Sequence, residues 1–278
     1  MRINPRITNR IVLMAFNAQA LFTVSILVAI VAVIFVKGFP HVNFAFIFSS
    51  PEDMGRHGGI FPSIVGTIQL ALLSIIFATP LGLGTAIFLT EYTKESTFTK
   101  FIRFGVESLA GIPSILYGLF GFIFFVIKLK MGWSLLAGVL TITIMILPTI
   151  IRTSEEAIRA VPRHLRIVSY SLSATKWETI KKVVIPAAMP GILTGIMLSV
   201  GRAVSETAAV IFTMGSSLRL PLSLSDSGRT MAVHFYILAR EGISMEKAYG
   251  TALILVLSIL LINIAAYYLM NRAIAKYS

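Results

Sequence analysis

The sequence predicts an all-α, polytopic membrane protein with six transmembrane helices. Three observations lead there. Apolar residues make up 56% of the 278 residues and charged residues only 13%, about half the charged share usual in a soluble domain. The apolar residues fall in runs, and a run of about 18 or more with few charges is long enough to cross a bilayer. The basic residues, which leave a formal net charge of +12, stand at the ends of those runs, as the positive-inside rule describes. That placement excludes a nucleic-acid surface, which would gather its charge on one soluble face. Cysteine is absent, so disulfides and thiolate metal sites are excluded.

The spans run in order over roughly Ile11–Val36, Ser63–Thr90, Phe104–Ile127, Trp133–Ile151, Pro190–Met214 and Ala248–Met270. The first follows Arg2, Arg6 and Arg10. Its apolar length exceeds a signal-peptide core, and no small-residue cleavage site follows, so it is read as a retained helix. The outer loop after it ends in Gly58-Gly59-Ile60-Phe61-Pro62, a flexible lead into the second span. Pro80-Leu81-Gly82-Leu83-Gly84, Gly111-Ile112-Pro113 and Pro148 interrupt the second, third and fourth spans. Small and helix-breaking residues permit either close packing of helices or a bending gate. Glu91 to Glu95 reads as a solvated inner loop. After the fifth span, Thr230–Arg240 is apolar but too short to cross, so an interfacial or re-entrant helix is expected there.

Fifteen Lys and Arg lie on the side of the N-terminus and eight on the other, with Arg202 alone inside a span. This bias places both termini in the cytoplasm. The chain divides into a first span with its outer loop (1–62), a transmembrane core (63–272) that includes a basic loop at about 154–190, and a tail (273–278).

The basic loop carries the local structure. The fourth span is expected to continue as helix through Ala160 and to stop near Pro162, which removes a backbone donor. A second helix should run from about Pro162 to Leu172, with Leu165, Val168 and Leu172 on one face. Ser173-Ala174 makes a turn, and Thr175-x-x-Glu178 is a capping box. The helix it starts carries Trp177, Ile180 and Val184 on one face, with Lys181 and Lys182 beside them, before Pro186 and Pro190 turn the chain back to the membrane. Such a pair of short amphipathic helices suits a groove in a partner protein, or lies flat on anionic lipid.

The loop resembles the EAA loop of ABC-transporter permeases. Ala174-Thr175-Lys176-Trp177 and Val184-Ile185-Pro186-Ala187-Ala188 match it well; Ile167 stands in place of its Glu and Ser173 in place of its Gly. Further stretches are similar to the phosphate-transporter permeases. These are Gly58-Gly59-Ile60, Val65-Gly66-Thr67, Pro80-Leu81-Gly82, Glu91-Tyr92, Leu109 through Ser114, Tyr117 through Gly121, Glu156 through Pro162, Gly201-Arg202-Ala203 and Glu206-Thr207. The compact outer loop and the Thr-Ala after Glu206 are closer to the PstA-type branch than to the PstC-type. The resemblance implies a type I importer (MetI-like) architecture in the inner membrane. It implies a homologous PstC-like permease as partner, a PstB-like ATPase dimer, an extracytoplasmic PstS-like phosphate-binding protein and contact with membrane lipid. By the same resemblance the short helices are coupling helices, with Arg166, Ser173, Ala174, Thr175, Lys176, Trp177 and Glu178 on the ATPase side. No G-x-x-x-x-G-K-[ST] occurs, so ATP and Mg are expected on the partner ATPases and no cofactor on this chain.

Arg202 sits at the middle of the fifth span, about 18 Å from either end at 1.5 Å per residue. A charge there costs on the order of 2.5–3.5 kcal/mol. Glu206, one turn on, can partly neutralise it. The pair either locks this helix to a neighbour or faces an aqueous path. In the second case a guanidinium, always charged and fitted to phosphate oxygens, meets a passing anion while Glu206 prevents tight capture. Ser205 and Thr207 can add hydroxyls. Arg152, at the inner end of the fourth span, either attracts the leaving anion or is a plain anchor. His41, His57, His164 and His234 are scattered, and no carboxylate pair or nucleophile–base arrangement supports an enzyme. The function expected is a permease subunit of an ATP-driven phosphate importer. The alternatives are an ABC permease for another oxyanion or solute, and a self-sufficient secondary transporter.

Overall fold

A computed structural model describes residues 5–275. Arg2, Lys276 and residues 276–278 of the expected tail lie outside the described residues. The first span is α1 (Pro5–Gly38), followed by a short α2 (Phe44–Phe48) and two paired strands of two residues each, β1 (Pro51–Glu52) and β2 (His57–Gly58). The second span is α3 (Phe61–Ile87), which runs on into a π-turn at Phe88–Tyr92. Then come α4 (Thr97–Ala110), α5 (Ser114–Gly121) with a π-turn at Phe122–Lys128, and α6 (Leu135–Ala160). The short α7 (Arg163–Ser171) and α8 (Lys176–Thr179) lead through a π-turn (Ile180–Val184) into α9 (Ile185–Ser205). The chain ends with α10 (Ala208–Thr213), α11 (Met231–Arg240) and α12 (Met245–Ala275).

The core is built on α6. Its buried residues Leu135, Val139, Ile142, Met145, Ile146 and Ile150 join Leu70 and Ala78 of α3, Ala203 and Val204 of α9, and Val210 of α10. The close crossings depend on small residues, as expected where packing rather than the hydrophobic effect joins helices in lipid. A Cβ on Gly191 would stand 2.5 Å from Ala157 Cβ, and one on Gly82 2.6 Å from Ile150 Cγ2. Pro80 and Pro148 lie inside continuous helices, so close packing, not a bend, is what the structure makes of Gly82 and its neighbours. Among the described residues α1 packs mainly against the C-terminal helix α12 and the short turn after α1, and exposes Leu13, Phe16, Leu21 and Phe22. An apolar surface that large is a lipid-facing one.

Four expectations need correction. The third span is not one rod: Thr97–Ala110 and Ser114–Lys128 meet at 100° across Gly111-Ile112-Pro113. The chain is helical from Lys176 through Ser205, so Pro186 and Pro190 do not turn it back. Proline lacks a donor and clashes with the carbonyl four residues earlier, and the wider π-turn directly before Pro186 lets the helix pass through. The lead at Gly58–Pro62 is packed rather than loose. Gly59, Ile60 and Phe61 donate to Ser50 O, Phe46 O and Ser49 O, and a Cβ on Gly59 would strike Phe46 O. Finally, Glu91 is not a solvated cap, because its side chain is 8% exposed and ion-paired.

Candidate functional site

The fifth span breaks where its charges lie. α9 ends at Ser205, Glu206 is extended (φ −71°, ψ 132°), and α10 starts at Ala208. The expected Arg202–Glu206 pair on one helix does not form. The break turns Glu206 inward, where it is 9% exposed and its Oε1 accepts the Ala209 amide at 3.2 Å. It satisfies a donor that a helix start leaves orphaned. The Ser205 hydroxyl donates to Gly201 O (2.9 Å) and lies near Arg202 O (3.3 Å); Thr207 Oγ1 faces Ser205 O at 3.5 Å. A hydroxyl has one proton to give, and that of Ser205 is given to the last turn of α9.

Arg202 stands apart from this capping. It is half-buried, and its guanidinium has no hydrogen-bonding or ion-pair partner among the described residues. Its position on α9 explains why. Ala188, Ile192, Gly195, Ser199 and Ala203 repeat at helical spacing and face the core. Thr194, Leu198, Gly201, Arg202 and Ser205 form the adjoining stripe, exposed or half-exposed, and nothing lies within 4 Å of where a Cβ on Gly201 would be. Arg202 thus stands at the edge of that stripe, between the exposed residues and the core-facing side of α9.

Two broken spans meet behind this stripe. α5 packs on α10 so tightly that a Cβ on Gly118 would stand 2.8 Å from Ala209 Cα, and one on Gly121 2.7 Å from Thr213 Cγ2 and inside contact distance of Thr141. Tyr117 donates at 2.7 Å to Leu109 O, which also accepts the Ile112 amide at 3.1 Å across the bend of the third span, and its phenol lies within electrostatic reach of Arg202. Non-helical backbone at this depth is tolerated where protein or water surrounds it.

At the basic end, Arg152 is largely exposed and pairs with Glu156 at 3.2 Å. Arg103 reaches Glu155 at 2.7 Å and Arg159 reaches the same oxygen at 2.9 Å. The short helices form a hairpin. Ser173 turns it at φ +60° without the glycine that this left-handed conformation favours, and Ser169 and Thr179 share a buried 2.8 Å hydrogen bond across it. The capping box is present, with both the Thr175 and Glu178 bonds made. These bonds hold the Glu178 carboxyl below its ordinary pKa, the Thr175 amide foremost and Lys182 adding its charge. Trp177 (56%), Ile167 (63%), Val168 (57%) and Leu172 (78%) are exposed together, while Ile180 and Val184 are fully buried in this chain. Trp177 and Ile180 thus do not share a face as expected. Arg166 points inward: its Nε and Nη2 donate to Glu91 Oε1 at 3.1 and 2.7 Å, and the guanidinium also reaches Val161 O and Ile158 O. Lys176 lies over the Tyr92 ring at 4.9 Å.

Sequence reasoning missed one buried polar group at the opposite end. Arg229 (6% exposed) donates to Ser216 O at 3.0 Å and to His234 Nδ1 at 3.2 Å. A guanidinium only donates, so Nδ1 accepts and His234 is the neutral Nε2–H tautomer. Burial first, and the Arg229 charge second, hold the His234 pKa down at about 3; burial lowers Arg229 to about 10, which leaves it charged. Only the pairing of two polar residues five apart could have signalled this. Among the described residues no cluster of His, Asp or Glu could hold a metal ion.

The family described as the binding-protein-dependent transport system inner membrane component matches residues 78–276. The chain is 32% identical to the probable ABC transporter permease protein YqgI of Bacillus subtilis (strain 168), covering 96% of both chains. It is 36% identical to the phosphate transport system permease protein PstA 1 of Mycobacterium tuberculosis (strain CDC 1551 / Oshkosh), over 78% of this chain and 71% of that one. In fold it is similar to a chain of the bacterial alginate ABC transporter crystallised with its pentasaccharide-bound periplasmic protein. The TM-score is 0.72 at 15% identity, over 99% of each chain.

Proposed function

This chain belongs to the family of binding-protein-dependent transport system inner membrane components, and from that premise we propose that it is the phosphate-conducting permease subunit of an ATP-driven importer. As a member it is a multi-pass inner-membrane protein and a permease of an ABC importer. The observation that carries the proposal is Arg202, on the exposed stripe of α9 and without a hydrogen-bonding or ion-pair partner among the described residues. Facing lipid, that charge would cost on the order of 2.5–3.5 kcal/mol. Facing a second permease across a conduit, it sits where a tetrahedral oxyanion can take both of its N–H edges. Relatives named as phosphate permeases support phosphate as the anion.

The rest of the assembly follows from the same reading. A homologous PstC-like permease closes the conduit, a PstB-like ATPase dimer binds ATP and Mg, and a PstS-like protein delivers phosphate at the far side. Both termini and the α7–α8 hairpin face the cytoplasm, consistent with the basic bias. The exposed Trp177, Ile167, Val168 and Leu172 present an apolar knob for the ATPase, and Ser173 to Thr175 form its tip. ATP-driven closure of the ATPases moves the hairpin and opens the conduit outward. Arg202 then offers a transient stop, and Arg152, exposed at the basic end, lies near the exit.

The test is uptake of labelled phosphate, sulfate and molybdate by the whole complex in proteoliposomes. Phosphate uptake should exceed the others, and Arg202→Ala should reduce it to background while the complex still assembles and hydrolyses ATP. Wild-type preference for sulfate or molybdate would reassign the substrate, and unchanged uptake by Arg202→Ala would remove Arg202 from the conduit.

A further inference from the structure

We infer that the π-turn Phe88–Tyr92 at the end of α3 is a clamp through which movement of the α7–α8 hairpin enters the spans, with Glu91 and Tyr92 as its two positioning residues. The inference rests on the reading of the chain as an ATP-driven permease and adds the route within it. Neighbouring residues of the turn each hold a different helix of the hairpin. Glu91 Oε1 accepts two N–H groups of Arg166, on α7, at 3.1 and 2.7 Å. The Tyr92 ring takes the ammonium of Lys176, the first residue of α8, at 4.9 Å.

The first contact is shielded. Glu91 and Arg166 are 8% and 16% exposed, so water and salt screen the pair little. The Arg152–Glu156 pair, at 62% and 66%, is by contrast the kind of surface contact that contributes almost nothing. Arg166 also donates to Val161 O and Ile158 O at 2.8 and 3.0 Å, so one guanidinium ties the start of α7, the end of α6 and the end of α3. On the other side of the turn, Arg103 of α4 reaches Leu89 O at 3.4 Å. The turn is therefore where α4, α6, α7 and α8 all bear on α3. α3 in turn packs along α9, the helix that carries Arg202. A π-turn holds one residue more per hydrogen-bonded ring than an α-helix, and such turns recur at functional places. Here it brings consecutive side chains onto two partners.

The experiment uses the complete importer in proteoliposomes, with ATP hydrolysis and labelled phosphate uptake read from the same vesicles. Glu91→Ala should keep hydrolysis but raise the ATP used per phosphate by about tenfold, within the range by which residues on a coupling route act. Glu91→Gln keeps an acceptor for Arg166 but removes the counter-charge, so it should raise the ratio less than Glu91→Ala does. Tyr92→Leu should raise the ratio severalfold; Tyr92 is 49% exposed, so its loss strands no buried charge and the test survives if Glu91→Ala fails to assemble. A residue that only held the fold together would lower the yield of complex and leave the ratio alone. An unchanged ratio in Tyr92→Leu, or in an assembled Glu91→Ala complex, overturns the clamp. Wild-type hydrolysis indifferent to the phosphate-loaded binding protein would instead overturn the functional reading beneath it.

Discussion

Replacing Glu206 by alanine and by glutamine separates a helix cap from an ion pair. In the structure its carboxylate accepts the Ala209 amide at 3.2 Å and makes no ion pair with Arg202. Alanine removes the acceptor. Loss of a capping side chain costs about 0.5–2 kcal/mol, and a buried hydrogen bond to a charged group is worth about 1.5–3 kcal/mol. With the residue 9% exposed, water replaces that bond poorly, so about 2 kcal/mol is expected. α10 has only six residues and no other side-chain cap, so the loss falls on local opening of the break. That corresponds to amide exchange over Ala208–Thr213 roughly 30-fold faster. Glutamine keeps an oxygen at the same reach and should change exchange by no more than about threefold, below 1 kcal/mol. Hydrogen exchange with mass spectrometry on the purified complex reads this directly, and phosphate uptake should follow the same order. If glutamine proves as damaging as alanine in both assays, the charge matters rather than the cap, and a salt bridge to Arg202 in another conformation becomes the better account.

Two further outcomes follow from the packing and the buried polar pair. Gly121→Ala places a Cβ 2.7 Å from Thr213 Cγ2 and against Thr141, an overpacking worth about 1–3 kcal/mol; the thermal midpoint of the complex should fall, while Gly105→Ala, with nothing within 4 Å, should leave it level. His234 is neutral when folded, with a pKa of about 3 against 6.5 for the free side chain. Between those values the unfolded chain binds a proton that the folded one does not, so stability present above pH 6.5 is lost as pH falls, at up to about 1.4 kcal/mol per unit. His234→Gln should flatten the dependence of the midpoint between pH 7.5 and 5.5, and equal slopes in both proteins would refute it.

Much of this was legible in sequence because it is local. Apolar runs fix the spans, Thr175 and Glu178 write the capping box, and Pro162 stops the fourth span one residue past the observed cap at Val161. Ser173 shows where local logic weakens. A glycine would have announced the left-handed turn; here the Ser169–Thr179 bond and the packing of Ile180 hold serine at φ +60°. The inner loop at Glu91 looks solvated in sequence because its partner, Arg166, lies 75 residues away, and no single-sequence pattern reaches that far.

The break after Ser205 is the feature least legible in sequence. Between Arg202 and Met214 there is neither proline nor glycine, so helix periodicity runs on without a stop. The interruption is imposed from outside. Gly118 admits Ala209 to 2.8 Å of where its Cβ would lie, and that approach fixes α10 against α5. α9 cannot continue into that position, so its axis ends and Glu206 supplies the acceptor that a new helix start requires. The only local hint is an acidic residue three before Ala209 in a small-residue stretch. With Glu206 spent on the cap, Arg202 is left without a counter-ion among the described residues, and an unpaired guanidinium at this depth needs either a partner permease or an anion. The same break that hides from the sequence is thus what gives the site its charge.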